Sequence, residues 1–430
     1  MRQWLLTLEL INSPIVWIFV ALAVALALVV VLVRPWRGWR LLIALAVGAI
    51  GGYVAVIGLE ALGAFDGPLP GSASIWAAGG FALAAVGVVG AFSRPWWRRA
   101  LAVVLVLVAL VAAGLGVNRS YGLTHTLATI LGIQALESAP LPAATASSDD
   151  PATLFQTWTP PADMPAKGRV SALSDAERIP DTGFAARDAA LYLPPAALVA
   201  HPPKLPLIVF MMGQPGTPDP TSLAAALDAF AAAHHGLAPI AIVVDQLGSI
   251  NADPACHDSD KYGKVSTYIN TDVPAYARTH LNIVDDPAYW VIGGYSNGGA
   301  CAFAYAAQYP QLWGNLMDVS GNEYPGSEHV AKTTQEVFGG DAAAFEAARP
   351  TSWLTRNAGS YGGHAAVFTH GDQDATFGPG QVANAAAAKA AGFTVYETTL
   401  PGVNHTGPAL DLGLRFAIDS LGPRLGLAAG

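Results

Sequence analysis

The residues with the plainest chemical purpose are Gly294-Tyr295-Ser296-Asn297-Gly298, which follow the apolar run 288–293. A Gly-x-Ser-x-Gly pentapeptide at the end of a strand sets its serine on a tight turn into a helix, and the glycines let neighbouring backbone pass close by. The stretch that follows, Asn297–Gln308, is rich in alanine and reads as that helix. With 45 glycines in 430 residues the pentapeptide alone says little; the strand before it and the helix after it give it meaning. The chemistry is nucleophilic acyl transfer through an acyl-Ser296 intermediate. A serine hydroxyl attacks only when a base takes its proton, and that base needs a carboxylate to orient it.

Two later loops supply the partners, in the chain order serine, acid, histidine. His370-Gly371-Asp372-Gln373-Asp374 follows the apolar run 365–369, and Pro401-Gly402-Val403-Asn404-His405 follows Thr394–Leu400. Loops at the carboxyl ends of parallel strands are where sites of open α/β sheets gather. Asp374 is the expected acid, with Asp372 the second choice, and His405 is the expected base among ten histidines. His234 and His235 close a helical stretch and are expected to be solvated; His370 could support the acid from behind, and His257 and His280 have no assignable partner. Charge developing on the attacked carbonyl oxygen needs two amide donors. One is expected from Asn297, the residue after the nucleophile, the other from Met212-Gly213-Gln214-Pro215-Gly216. Pro215 has no N–H, so Gln214 or Gly213 must donate.

The elements that must position these groups alternate. Candidate strands are 205–212, 239–245, 288–293, Asn315–Val319, 365–369 and Thr394–Leu400, with helices such as 221–235 and Asn297–Gln308 between them. Continuous apolar strands alternating with helices predict a mostly parallel sheet covered on both faces. Ala189–Leu193 is expected as an antiparallel edge strand. This α/β domain is assigned to residues 153–430, enough chain to bury its own core. Ahead of it, 121–152 is assigned as a linker, its part 136–152 rich in Ala, Pro, Ser and Asp and without apolar period.

Residues 1–120 differ in kind. Hydrophobic residues make up 53% of the whole chain and charged residues 12%, far from the roughly 25% charged of an ordinary soluble domain. The first 120 residues hold only three acidic side chains, Glu9, Glu60 and Asp66, and eight arginines, which leaves 28 of 31 acidic and 14 of 22 basic residues for the rest. The acidic remainder argues against nucleic-acid binding. Apolar runs at about 14–33, 41–62, 72–92 and 100–117 approach the ~20 residues that cross ~30 Å of hydrocarbon as a helix. A four-helix transmembrane domain is expected. Its first connection (Arg34, Arg37, Arg40) and third (Arg94, Arg98, Arg99) are basic and near copies of each other, while the second, near Asp66, has no basic residue. Positive loops stay cytoplasmic, so the N-terminus and the α/β domain are expected outside. Gly48, Gly51, Gly52, Gly79 and Gly80 would let helices pack closely, and Glu60 is expected at an interface. Nothing in these helices reads as an ion pathway.

From about residue 185 to 425 the chain resembles the esterase D family of the α/β-hydrolase superfamily, which includes enterochelin esterases, S-formylglutathione hydrolases, feruloyl esterases and the actinobacterial mycolyltransferases. The matching blocks are 205–216, 294–299, 371–374 and 402–405, with 281–299 similar to the family's approach to its nucleophile. In that family an acid three residues after a glycine is the catalytic carboxylate, which favours Asp374. Many members carry His-Gly where this chain has Met212-Gly213; the donor there is a backbone amide, so the difference need not cost function. The resemblance implies a serine esterase, or alternatively an acyltransferase that hands the acyl group to an envelope sugar or lipid hydroxyl. A catalytically dead membrane scaffold is a third reading, against which the full set of Ser296, Asp374 and His405 speaks. The lysine-poor, Ala- and Gly-rich composition with its helices resembles actinobacterial envelope proteins. Cys256 and Cys301, the two cysteines, fall near neighbouring strands in such folds. Outside the cell they could form a bridge that fastens a loop beside the pocket; the alternative is two buried thiols. No metal and no organic cofactor is implied. The expected partners are an ester substrate, in a lipid or the cell wall, and membrane lipid.

Overall fold

The computed structural model describes all residues except Met1, 33–37, 62–68, 93–95, Leu123, Gln134, 143–149 and Asn251. Arg34, Arg37, Asp66 and Arg94, and the core of the expected linker, therefore lie outside the described residues. The chain forms two compact units. Met1–Ile130 with Asn404–Gly407 make one, and Leu131–Val403 with Pro408–Gly430 make the other.

The first unit is built on helices α1 (Ile15–Leu32), α2 (Gly38–Ala61), α3 (Gly71–Ala91) and α4 (Trp96–Tyr121), all long and apolar enough to cross a membrane. Small residues line the contacts between them. A side chain on Gly48 or Gly52 of α2 would run into the backbone of α3 at Phe81 or Ala77, and one on Gly80 of α3 into Ala113 of α4. Gly51 and Gly79 do not share this role: open space surrounds both, because they lie on the far side of their helices from these contacts. Outward faces carry Trp17, Leu28, Leu42, Ile50 and Leu107 in the open, the surface that a hydrocarbon solvent would cover. Arg98 in the first turn of α4 is buried and donates to Val30 O at the end of α1, 2.5 Å away. Glu60 Oε1 accepts the Leu69 N–H at 2.7 Å.

The second unit is an eight-stranded sheet in the order β1-β2-β4-β3-β5-β6-β7-β8. The strands are β1 (Arg169–Leu173), β2 (Ala189–Leu193), β3 (Leu207–Met211), β4 (Ile240–Val244), β5 (Trp290–Tyr295), β6 (Asn315–Val319), β7 (Ala365–Gly371) and β8 (Thr394–Leu400). Strands β4, β3, β5, β6, β7 and β8 run parallel to one another, and β2 pairs antiparallel with both β4 and β1. Every residue of β2 to β6 is buried, as the unbroken apolar runs require of strands covered on both faces. β2 is not the edge: it pairs with both β1 and β4. The edge is β1, whose short Arg-Val-Ser-Ala-Leu sequence is too polar to read as a buried strand and is half exposed at its start. The region expected to be structureless contributes as well, since Glu137 O accepts the Ala172 N–H of β1 at 3.0 Å. At the other edge β8 alternates exposed and half-buried positions. β5 starts at Trp290, later than the apolar run, because Asp286 accepts the Ala288 N–H and caps a helical turn over Pro287–Tyr289. Helices α5 (Thr221–Ala233), α6 (Asn297–Gln308), α7 (Gly378–Ala391) and α8 (Gly407–Leu421) accompany the sheet.

Candidate active site

β5 ends at Tyr295 and α6 begins at Asn297, so Ser296 alone makes the turn. Its backbone sits at φ 55° and ψ −122°, a conformation that strains any residue with a Cβ and persists only where the surroundings impose it. Those surroundings are on both sides. Ser296 N–H donates to Val319 O of β6 at 3.1 Å, and Ser296 O accepts the first helical amides, Gly299 and Ala300, at 2.9 and 3.1 Å. A Cβ on Gly294 would strike Gly298, and one on Gly298 would strike the carbonyls of Met211 and Met212. The flanking glycines are thus required by close backbone approach, as the pentapeptide implied. Ser296 is 4% exposed and stands at the amino end of α6, where helix amides favour negative charge.

The loop after β3 lies against this turn. A Cβ on Gly213 would be 3.2 Å from Ser296 Cβ and 3.3 Å from Tyr295 Cδ1, so this is one pair of expected site residues that the fold brings together. The Gln214–Pro215 bond in the same loop is cis. Gln246, just past β4, holds both sides: Nε2 donates to Met212 O at 2.5 Å and to Asn297 Oδ1 at 3.3 Å. Asn297 Nδ2 then donates to Asp253 Oδ1 at 3.2 Å. Below the loop, Arg187 grips the buried Asp245 with Nε at 3.0 Å and Nη2 at 2.7 Å, and its Nη1 donates to Gly216 O at 2.9 Å. Asp245 also accepts the amides of Arg187, Leu247 and Gly248, so the buried charge is compensated on every side. Sequence reasoning passed over Arg187, Gln246 and Asp253. The one signal was a carboxylate, Asp245, closing an apolar run.

Asp374 and His405 follow β7 and β8, as Ser296 follows β5, and these strands are parallel. Asp374 is 4% and His405 2% exposed. Asp374 Oδ1 accepts the Phe377 N–H at 2.9 Å, which closes its loop. Asp372, by contrast, is exposed and accepts the Gly402 N–H at 2.8 Å, a brace between the loops after β7 and β8. His370 is paired sideways with Thr399 of the edge strand at 3.3 Å. His234 is not fully solvated: it stacks on Phe230 with ring centroids 4.0 Å apart. His257 and His280 do have partners. His257 stacks on Phe338, and burial holds its pKa below the ordinary histidine value; His280 stacks on Tyr276. Cys256 and Cys301 are joined, with Cα atoms 5.4 Å apart. The bridge ties the Asp253 loop to α6 one turn beyond Asn297. Among the described residues no cluster of His, Cys, Asp and Glu could hold a metal ion.

A second carboxylate lies beneath the elbow and was also unread in the sequence. Asp318 of β6 is fully buried, and its pKa is pushed up to about 7, chiefly by burial, against weaker hydrogen bonds from Gln381 and the Gly321 backbone.

A family model described as Putative esterase matches residues 185–401, half of the chain. The chain belongs to that family. The esterase's matched region runs from Ala185 to the start of the His405 loop and contains Arg187, Gly213, Gln214, Ser296, Asn297 and Asp374. With the strained serine turn and the mostly parallel sheet, membership makes the protein a serine hydrolase of the α/β-hydrolase fold that acts on esters. An uncharacterized protein of Corynebacterium glutamicum is 32% identical over 386 residues, 87% of each chain, so the similarity reaches beyond the esterase region into the apolar N-terminal part. Solved structures similar to the esterase include an S-formylglutathione hydrolase of Agrobacterium tumefaciens, 16% identical, covering 62% of this chain and 97% of that one with a TM-score of 0.48. A fluorophosphonate-binding serine hydrolase of Staphylococcus aureus is 13% identical, covering 59% and 98%, with a TM-score of 0.47.

Proposed function

We propose that this esterase works by a Ser296–His405–Asp374 triad, from a membrane-anchored domain on the extracytoplasmic side. The single observation that carries the reading is the backbone of Ser296, held at φ 55° on a one-residue turn between β5 and α6. No packing need explains a strained polar residue there, whereas exposing a nucleophile at the mouth of a helix does. His405 would accept the Ser296 proton as the hydroxyl attacks the ester carbonyl, then return it to the departing alcohol; a water activated in the same way would release the acid from acyl-Ser296. Asp374 would hold the imidazole and stabilise its charged form. Its burial favours it over Asp372, which is exposed and already committed to Gly402. The oxyanion would be met by the Asn297 amide and by Gln214 or Gly213. In support, Gly213 lies against Ser296, and Gln246 ties the Met212 carbonyl to the Asn297 side chain.

Residues 1–120 would be the anchor and about 153–430 the catalytic domain, joined by 121–152. Arg40, Arg98 and Arg99, with Arg34, Arg37 and Arg94, argue for cytoplasmic connections between α1 and α2 and between α3 and α4, which sends the chain after α4 outside. A Cys256–Cys301 bridge suits an oxidising compartment. An anchored site on that side would meet ester substrates of the lipid layer or the cell wall.

A fluorophosphonate probe applied to the full chain in detergent tests the nucleophile. Wild type is expected to label and to hydrolyse short-chain p-nitrophenyl esters; Ser296→Ala is expected to do neither. Hydrolysis that survives Ser296→Ala would refute the assignment. His405→Ala with intact hydrolysis would refute the base.

A further inference from the structure

We infer that Gln246 is a positioning residue of the hydrolytic site: its amide ties the loop after β3 to the first residue of α6 and so keeps the two oxyanion donors at a fixed separation, with Asp253 setting the direction of the tie. The inference deepens the proposed mechanism and rests on the reading of Ser296 as nucleophile.

Topology puts Gln246 at a crossing. β3 lies between β4 and β5 in the sheet. Gln246 is the second residue after β4, Met212 the first after β3, and Asn297 opens α6 just after β5. The Gln246 side chain is thus rooted at one strand end and reaches past a second to a third. It is buried, and so is the Asn297 that it meets. Its Nε2 donates to Met212 O at 2.5 Å and to Asn297 Oδ1 at 3.3 Å. A side-chain amide nitrogen carries two N–H groups, and each is spent on a different loop. Both acceptors adjoin an assigned oxyanion donor. Asn297 supplies its own backbone amide, and the Met212 carbonyl belongs to the planar peptide unit that leads into Gly213 and then Gln214. Holding that carbonyl holds the start of the donor loop.

Two side-chain amides that meet could each be turned either way, and here a carboxylate decides. Asp253 only accepts, so Asn297 must present Nδ2 to it, at 3.2 Å. Asn297 Oδ1 then faces Gln246, and only the donor end of Gln246 satisfies it. The same nitrogen is thereby aimed at the Met212 carbonyl, which also needs a donor. Asp253 is itself held: its Oδ1 accepts the Ala255 N–H at 3.0 Å, and the next residue, Cys256, is bridged to Cys301, one turn along α6 from Asn297. The relay therefore leaves α6 and returns to it, with Gln246 as its branch to the loop after β3. A side chain with one donor, or none, would release one of the two loops.

The test measures kcat and KM for a short-chain p-nitrophenyl ester on full-length wild type, Gln246→Met, Asn297→Ala and the double variant. Methionine fills the space of glutamine without donating, and alanine at 297 keeps the backbone amide. Each single variant is expected to lower kcat about tenfold, less than the ~10²–10³-fold that loss of an oxyanion donor itself costs, with KM within about twofold of wild type. The double variant is expected to match the singles within about threefold, because either cut opens the same tie. A folded Gln246→Met with wild-type kcat overturns the inference. So does a double variant whose losses multiply to about a hundredfold, as two independent defects would give, and so does a loss carried by KM instead of kcat. If Gln246→Met does not fold, Asn297→Ala decides: a fall in kcat alone supports the tie, and an unchanged kcat overturns it. A wild type with neither ester hydrolysis nor Ser296-dependent labelling would sink the esterase mechanism itself, which is a different outcome from an active wild type matched by Gln246→Met.

Discussion

Replacing Cys256 and Cys301 together by serine opens a loop closed across a sequence separation of 45. In the chain-entropy account, a loop of that length restricts the unfolded chain by about 13 cal/mol/K, or about 4 kcal/mol at 25 °C. In a domain of this size each kcal/mol moves the unfolding midpoint by about 2 °C, so the double variant is expected to unfold about 8 °C lower. The loss has a functional side. The bridge pins the loop that carries Asp253, and Asp253 accepts the Asn297 Nδ2 at 3.2 Å. Loosening it frees the residue whose amide is assigned to the oxyanion, so kcat should fall while KM changes little. The assay is residual ester hydrolysis after heating, together with tryptophan fluorescence, on the full chain in detergent. Wild type treated with a thiol reductant should follow the double variant. If both unfold within about 2 °C of the oxidised wild type, the bridge does not restrict the unfolded chain in this way and the argument fails.

Three further outcomes follow from named contacts. Gly213→Ala sets a methyl 3.2 Å from Ser296 Cβ and should cut kcat by ~10²-fold through displacement of the oxyanion loop, read as kcat against KM. Arg187→Met strands the buried Asp245 carboxylate and should cost about 3–5 kcal/mol in denaturant unfolding; Arg187→Lys should recover only part, since an ammonium cannot match the two-pronged contact. Asp318 gives stability a pH slope. Its folded pKa is raised from 3.8 to about 7, so the folded state holds a proton that the unfolded chain releases earlier. Its contribution is therefore fully present below about pH 4 and is lost as pH rises to about 7, by up to about 4 kcal/mol. Asp318→Asn should flatten that slope in unfolding measured between pH 4 and 8.

The sequence carried everything that depends on local pattern. Apolar runs of helical length announced α1 to α4, and unbroken apolar runs announced β3, β4 and β5 as buried parallel strands, because burial on both faces leaves no room for polar alternation. The pentapeptide around Ser296 was legible because close backbone approach demands glycine at fixed spacing. Where flanking chemistry sets a boundary, as at the Asp286 cap before Trp290, run length misjudged the start of β5. β2 read as an edge because its outer partner, β1, is short and half polar.

What the sequence could not hold is partnership between residues far apart in the chain. Arg187 and Asp245, Gln246 and Asn297, and Asp318 and Gln381 are joined only when strands from different parts of the chain lie side by side. Nothing in a single stretch marks one glutamine as a clamp or one strand aspartate as buried beneath a helix. Local pattern fixes which backbone shapes are affordable and where a nucleophile can stand. Tertiary packing decides which polar groups lose their water together, and that shared loss of solvent makes them bind one another and shifts the proton on Asp318.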